Sequence, residues 1–281
     1  MSGMRETTVI QPGLVEGRFI GIHVPNLMGF EHVTEMLLEH VDEPAYAGTV
    51  FILGDYVHQP VSWFREQYPG RRIVIYQLEQ MVGSATWHPI DRIIDNMRGA
   101  DAIWDYDPLN VAYLSWYGVE IDRVVPMLYT ERLRRLSLNP DPPVDVLFAG
   151  SLNDRRYQIL FDLQRWFYGR VTFAWVFGLR GVEFDRTIEN AKIILNLHAF
   201  EPWHRQEQTR IFFPLINGRM VVSETSEANG FGDCIVEADP GALGETILYW
   251  LAEDRWKHFG PAAAQRYQQA SHRWLDEHRV R

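Results

Sequence analysis

Asn139-Pro-Asp-Pro-Pro143, continued by Val144-Asp-Val-Leu-Phe-Ala-Gly-Ser-Leu-Asn-Asp-Arg-Arg156, decides how this chain is organised. Three prolines in five residues stop helices and central strands alike, because each fixes φ and removes a backbone N–H. The apolar run behind them, 144–149, reads as a buried strand. It ends in Gly150-Ser151, after which Asn153 or Asp154 caps a helix over 154–167. The proline cluster therefore reads as a linker, with a fresh α/β unit beginning directly after it.

The same alternation runs outward in both directions. Upstream, 18–24, 49–54, 71–76, 102–104 and 121–125 read as strands, with amphipathic stretches near 30–39, 88–97 and 109–117 between them. Downstream, strands over 171–177, 192–197 and 219–223 alternate with helices over 182–190 and 205–216. Two helices, 242–258 and 261–278, close the chain, the second opened by Pro261 at a first-turn position. Strands separated by crossover helices imply parallel sheets of the doubly wound α/β kind, which bind ligands outside the carboxyl ends of their strands. The expected division is 1–138, 144–260 and 261–281, with two α/β halves facing a central cleft. The last segment is expected to return to the first half and pack there through Tyr267 and Trp274, spaced i, i+7.

Composition narrows the class. The 281 residues are 46% hydrophobic, with ten Trp and 15 Phe, enough for more than one core. No apolar run approaches the roughly 20 residues that span a bilayer. Residues 1–17 are polar, without a signal-peptide apolar stretch. A single cysteine, Cys234, excludes an intrachain disulfide and a cysteine-built zinc site, so a reducing cytoplasm is expected. Acidic residues exceed basic ones, 37 to 27, for a net charge of −10, which disfavours nucleic-acid backbones and anionic membranes as partners.

Candidate chemistry collects where strands end. At Gly150-Ser151 a glycine lets backbone amides approach an anion, a helix N-terminus adds positive potential, and Arg155 offers a guanidinium. A plain strand-to-helix turn with solvent-facing arginines fits the same spacing. The dinucleotide fingerprint G-x-G-x-x-G is absent, which counts against a nicotinamide or flavin enzyme. The strand Lys192-Ile-Ile-Leu-Asn-Leu-His198 brings Asn196 and His198 to its end, followed by Glu201-Pro-Trp-His-Arg-Gln-Glu-Gln-Thr-Arg210. Glu207 and Arg210, three apart, share a helix face suited to a ribose hydroxyl and a phosphate, or to an ordinary ion pair. Pro214 is expected to kink that helix.

In the first half the strand-end residues are His23, Asp55, the run Tyr76-Gln-Leu-Glu-Gln80 and Asp105-Tyr-Asp107. His23, Asp55 and Glu79 are candidate general bases for an acceptor hydroxyl. Tyr76, Gln77, Gln80 and Asp105 are candidate acceptor contacts. Asp105-x-Asp107 also fits a Mg²⁺ or Mn²⁺ pair, although Pro108 marks Asp107 as a helix N-cap.

The pieces Val146-Leu-Phe-Ala-Gly-Ser-Leu-Asn-Asp-Arg-Arg156, Asn190-Ala-Lys-Ile-Ile-Leu-Asn-Leu-His198, and Arg210 through Gly218 into Met220-Val-Val-Ser-Glu224 resemble GT-B glycosyltransferases. They are most similar to small bacterial and phage members related to the CgeB spore-maturation group. The resemblance implies two Rossmann-like domains and a donor diphosphate and ribose held by Gly150, Ser151, Arg155, Asn196, His198, Glu207 and Arg210. It implies transfer from a nucleotide-diphosphate sugar, UDP-sugar first, to a hydroxyl of a glycan, small molecule or modified phage DNA base, with no metal and no cofactor besides the donor. One position departs: where the group carries a ribose-binding Glu, three residues after the helix arginine, this chain has Phe213. A non-catalytic nucleotide-sugar-binding protein, and a metal-dependent GT-A transferase using Asp105 and Asp107, are the alternatives.

Overall fold

The computed structural model describes residues 12–25, 30–81, 89–200 and 206–278. The start of the chain, position 88 of the expected helix 88–97 and Glu201 to Arg205 lie outside the described residues. Contacts divide the chain into two compact units, Ile10–Met127 and Leu128–Arg281.

In the first unit, β1 (Gly13–Glu16), β2 (Gly21–Val24), β3 (Thr49–Leu53), β4 (Arg72–Gln77), β5 (Ala102–Asp105) and β6 (Arg123–Val124) form one sheet in strictly sequential order. β1 runs antiparallel to β2, and every other pair is parallel. Helices α1 (Phe30–His40), α2 (Val61–Gln67), α3 (Ile90–Met97) and α4 (Pro108–Trp116) make the crossovers. β3 is buried at all five residues, which is why it reads as an unbroken apolar run. Val50, Ile52, Ile73 and Ile75 meet Phe64 of α2, Ile93 and Met97 of α3 and Leu114 of α4 in one core.

The second unit has the strand order β11-β10-β9-β7-β8, all parallel. Its elements run β7 (Val144–Ala149), α5 (Asp154–Phe167), β8 (Phe173–Val176), α6 (Gly181–Glu189), β9 (Ala191–Asn196), α7 (Gln208–Ile216), β10 (Met220–Glu224), β11 (Val236–Ala238), α8 (Leu243–Leu251) and α9 (Arg255–His278). Val146, Phe148, Ile193 and Leu195 pack on Leu160 and Leu163 of α5 and Leu243 and Ile247 of α8. Strand order reverses at β7, which β8 flanks on one side and β9 on the other. Open α/β sheets form their ligand crevice at such a reversal. The first sheet, in sequential order, has no reversal among its described strands.

The unit boundary falls ahead of the proline cluster because the intervening segment is bonded to the second unit. Arg135 forms a two-pronged pair with Asp185 of α6, at 2.8 and 3.2 Å. Asn217 accepts from the amides of Arg135 and Leu136, and Asn139 N donates to Glu189 O. The prolines thus lead into β7 from a chain already docked.

The helical ending also differs from the expected pair. The break falls at Glu253 and Asp254, both with φ of 55°, and α9 then runs continuously through Pro261. Gly260 explains the fit: a Cβ there would stand 2.1 Å from the Gly218 carbonyl oxygen, so only glycine lets α9 lie on the turn that ends α7. The described contacts of α9 include α7, β10 and α8, and Tyr267 sits between Phe231 and Tyr129, the latter in the expected first segment 1–138, where Tyr129 N also donates to Ser271 Oγ of α9; by its contacts Tyr129 groups with 128–281. Among the described residues no helix is long and apolar enough to cross a membrane.

Candidate functional site

The reversal in the second sheet brings together the carboxyl ends of β7 and β9, with β10 beyond. From β7 come Gly150 and Ser151, and Asn153 then caps α5 by accepting from Arg156 N at 2.9 Å. That cap fixes the rotation of the first turn, which separates the two adjacent arginines.

Arg155 turns toward β10. Its guanidinium grips Glu224 through two bonds of 2.9 and 2.6 Å and also donates to the His198 carbonyl. Glu224, fully buried, accepts in addition from His198 N at 2.6 Å. Arg155 is therefore neutralised by an internal carboxylate and ties β9 to β10.

Arg156 turns inward and is 0% exposed. It donates to the Leu197 and His198 carbonyls, to the carbonyl and hydroxyl of Ser151, and to Glu207 at 2.8 Å. Burial pulls its guanidinium down to about 10, Glu207 opposing that shift and Arg210 adding to it. Burial pushes Glu207 the other way, yet the charges of Arg210 and Arg156 prevail and hold its carboxyl below the usual range.

Arg210, in the first turn of α7, lies against the β7 turn. A Cβ on Gly150 would meet its Nη1 at 2.8 Å and its Cζ at 2.9 Å. Its Nη2 makes a long bond of 3.5 Å to Ser151 Oγ, while Nη1 is buried with no hydrogen-bond partner among the described residues. Asn196 gives the opposite orphan. Its Nδ2 donates to Ser223 Oγ at 3.0 Å, and its Oδ1 is buried without a donor among the described residues. A buried guanidinium nitrogen without an acceptor and a buried carbonyl without a donor are costly unless a ligand completes them. His198 is buried, its Nε2 donating to the Thr225 carbonyl. α7 continues through Pro214, which withdraws the amide that would have bonded the Arg210 carbonyl.

The structure thus gathers Gly150, Ser151, Glu207 and Arg210 directly, with Asn196 and His198 at the adjacent strand end. Arg156 and Glu224 complete the cluster; of the two adjacent arginines the sequence pointed to Arg155, and it gave Glu224 no role. Adjacent arginines differ by about 100° around a helix, and only the cap decides which faces inward. Phe213 is 0% exposed, stacked on Phe184 at 6.1 Å with the Arg135 guanidinium 4.9 Å from its ring. It serves the core of the second unit.

In the first unit, His23 Nε2 lies 2.7 Å from Asp55 Oδ2, and Nδ1 lies 2.6 Å from the Tyr68 hydroxyl. The carboxylate is an acceptor, so Nε2 donates to Asp55. Both ring nitrogens are engaged, and Trp63, Phe64 and Tyr68 enclose the ring edge-on. Asp55 is the more exposed partner, its side chain 32% accessible.

The other strand-end residues form an interior network. Gln77 donates to Asp105 Oδ2 and to the Glu79 carbonyl, and accepts from Tyr56 O–H and from Glu79 N. All four of its bonds are used. Asp105 is fully buried and accepts from Gln77, Asn110 and Asp107 N. Burial pushes its carboxyl up to about 8 although those three bonds act against it. Tyr76 donates to the Val125 carbonyl from within the core. Asp107 accepts from Leu109 N as the cap of α4, so the Asp105-x-Asp107 carboxylates serve the fold. Glu79 and Gln80 are part-buried at the end of this network.

No protein-family model matches the sequence, and no curated protein matches it. Solved structures do match in fold. HepE from Anabaena, in complex with UDP-glucose, has a TM-score of 0.55 at 12% identity, over 91% of this chain and 86% of that one. Sucrose-phosphate synthase from Thermosynechococcus elongatus has a TM-score of 0.51 at 14% identity, over 97% and 86%. TarM has a TM-score of 0.54 at 10% identity, over 83% of this chain and 55% of that one, so the present chain spans about half its length. The fold is that of the GT-B glycosyltransferases, with two Rossmann-like α/β units and a long C-terminal helix.

Proposed function

We propose that this protein is a glycosyltransferase taking a nucleotide-diphosphate sugar as donor, with UDP-sugar as the first candidate. The observation that carries the reading is the buried Nη1 of Arg210, without a hydrogen-bond partner among the described residues and held over the Gly150 turn where the second sheet reverses its strand order. An anionic oxygen at that point supplies the missing acceptor. The Asn196 carbonyl awaits a donor such as a ribose or sugar hydroxyl. The complex of HepE with UDP-glucose supports the choice of donor. Guanidinium groups there stabilise the charge that develops on the diphosphate as it leaves.

Asp55, whose Oδ2 is held by His23 and which is the exposed member of the pair, is the proposed base for an acceptor hydroxyl. The acceptor classes are a glycan, a small molecule or a modified phage DNA base, and the CgeB-like character of the motifs belongs to the same proposal. The reaction is proposed to be metal-independent, since Asp105 accepts from three internal donors across its two oxygens and Asp107 Oδ1 caps α4. One observation favours a second reading, a non-catalytic nucleotide-sugar-binding protein: Phe213 fills with a core ring the position where the resembling group has a carboxylate.

Calorimetric titration of UDP into wild type and Arg210→Ala tests the reading. Loss of one charge-assisted hydrogen bond costs roughly 1.5–3 kcal/mol, or about one to two decades in affinity. Equal affinities, or no binding to wild type, would remove the site. Consumption of UDP-sugar with acceptor panels separates the transferase from the non-catalytic binder.

A further inference from the structure

Glu207 occupies the N-cap position of α7, yet its side chain caps nothing. Glutamate is not among the preferred N-cap residues, and the carboxylate is directed elsewhere: to Arg156 Nη2 at 2.8 Å, with the charge of Arg210 acting on it as well. Arg156 is completely buried and its other bonds go to neutral oxygens of Leu197, His198 and Ser151. Glu207 is thus the negative partner of a buried cation beside the Gly150-Ser151 turn, the place where a diphosphate would be received. A carboxylate and a phosphate cannot share those guanidinium groups without like-charge repulsion.

We propose that Glu207 is a resident counter-anion of the donor site, pairing with Arg156 in the empty protein and displaced or repelled when a diphosphate enters, rather than a ribose ligand. This rests on the donor-site reading above. Its function is selectivity. A weakly charged anion such as inorganic phosphate does not outcompete an internal carboxylate, whereas a diphosphate, carrying more charge and more acceptor oxygens, does. Removing the charge of Glu207 therefore opens the site to anions in general.

Two probes, UDP and inorganic pyrophosphate, separate the roles when titrated into wild type and Glu207→Gln. A counter-anion role predicts that E207Q binds both more tightly, by about tenfold, because competition with a part-buried carboxylate worth about 1.4 kcal/mol has been removed. A ribose-ligand role predicts weaker UDP binding with pyrophosphate unchanged, and that result overturns the inference. Pyrophosphate and UDP both failing to bind either protein overturns the donor-site reading itself, and this proposal with it. Because E207Q leaves Arg156 buried without its partner, Glu207→Asp provides a second variant. Its shorter arm withdraws from Arg156 while keeping the charge. It should gain affinity for pyrophosphate by a smaller factor, and equal or weaker binding than wild type counts against the inference.

Discussion

The guanidinium of Arg210 rests on the bare backbone of Gly150, so closely that a Cβ at residue 150 would stand 2.8 Å from its Nη1. The glycine is required by that approach, since nothing in its backbone conformation excludes another residue.

Gly150→Ala should therefore fold normally and push the Arg210 side chain, the flexible partner, off the turn. Displacing the guanidinium removes one charge-assisted hydrogen bond to the ligand, roughly 1.5–3 kcal/mol, or about one to two decades in UDP affinity. Calorimetry together with a thermal melt checks this; unchanged affinity would mean that the guanidinium binds from elsewhere.

Arg156→Met should act on stability. It removes a cation that bonds to four residues and leaves the part-buried Glu207 beside only one arginine. Breaking a buried pair from one side costs about 3–5 kcal/mol. Urea unfolding should show a lower midpoint for the second unit, and an unchanged midpoint would contradict the described pairing.

Asp105 makes the first unit sensitive to pH. Its carboxyl, pushed by burial up to about 8, keeps its proton in the folded chain while the unfolded chain loses it near pH 4. The stabilisation is complete below pH 4 and is lost as pH rises through about 8, a change on the order of a few kcal/mol. Urea midpoints at pH 5 and pH 8.5 should fall accordingly, and Asp105→Asn should flatten the slope. A slope identical in the variant would assign it to another group.

Asp55→Asn should reduce turnover by about 10²–10⁴-fold, the range of a lost general base, while UDP affinity stays as in wild type. Turnover within a factor of three of wild type would leave Asp55 as a structural partner of His23.

Much of the architecture was legible because buried parallel strands are short apolar runs. β3, β4, β7, β9 and β10 stand where those runs stand. β1 and β11, at sheet edges, carry part-exposed residues and no such run. Pro261 misled because a proline inside a helix reads as a start, whereas α9 continues through it with Gly260 packed on the turn at Gly218. The unit boundary was hidden for a similar reason: Arg135, Asn139 and Asn217 bind across a long sequence separation, and no local pattern announces such bonds. Within the site, Gly150, Ser151, Glu207 and Arg210 followed from strand-end position, whereas Arg156 and Glu224 required knowledge of which way each side chain turns.

The two ends of α7 are both fastened. At its start the Glu207 side chain bonds Arg156, and at its close Asn217 holds residues 133–136 while Gly218 abuts Gly260 of α9. A helix clamped in this way is a strut, and in the empty protein the backbone that carries the arginine near its start is already in place. Preorganisation of this sort lowers the entropy lost on binding. Differences among ligands then express themselves mainly as residence time on an already shaped surface rather than as the speed with which the surface takes shape.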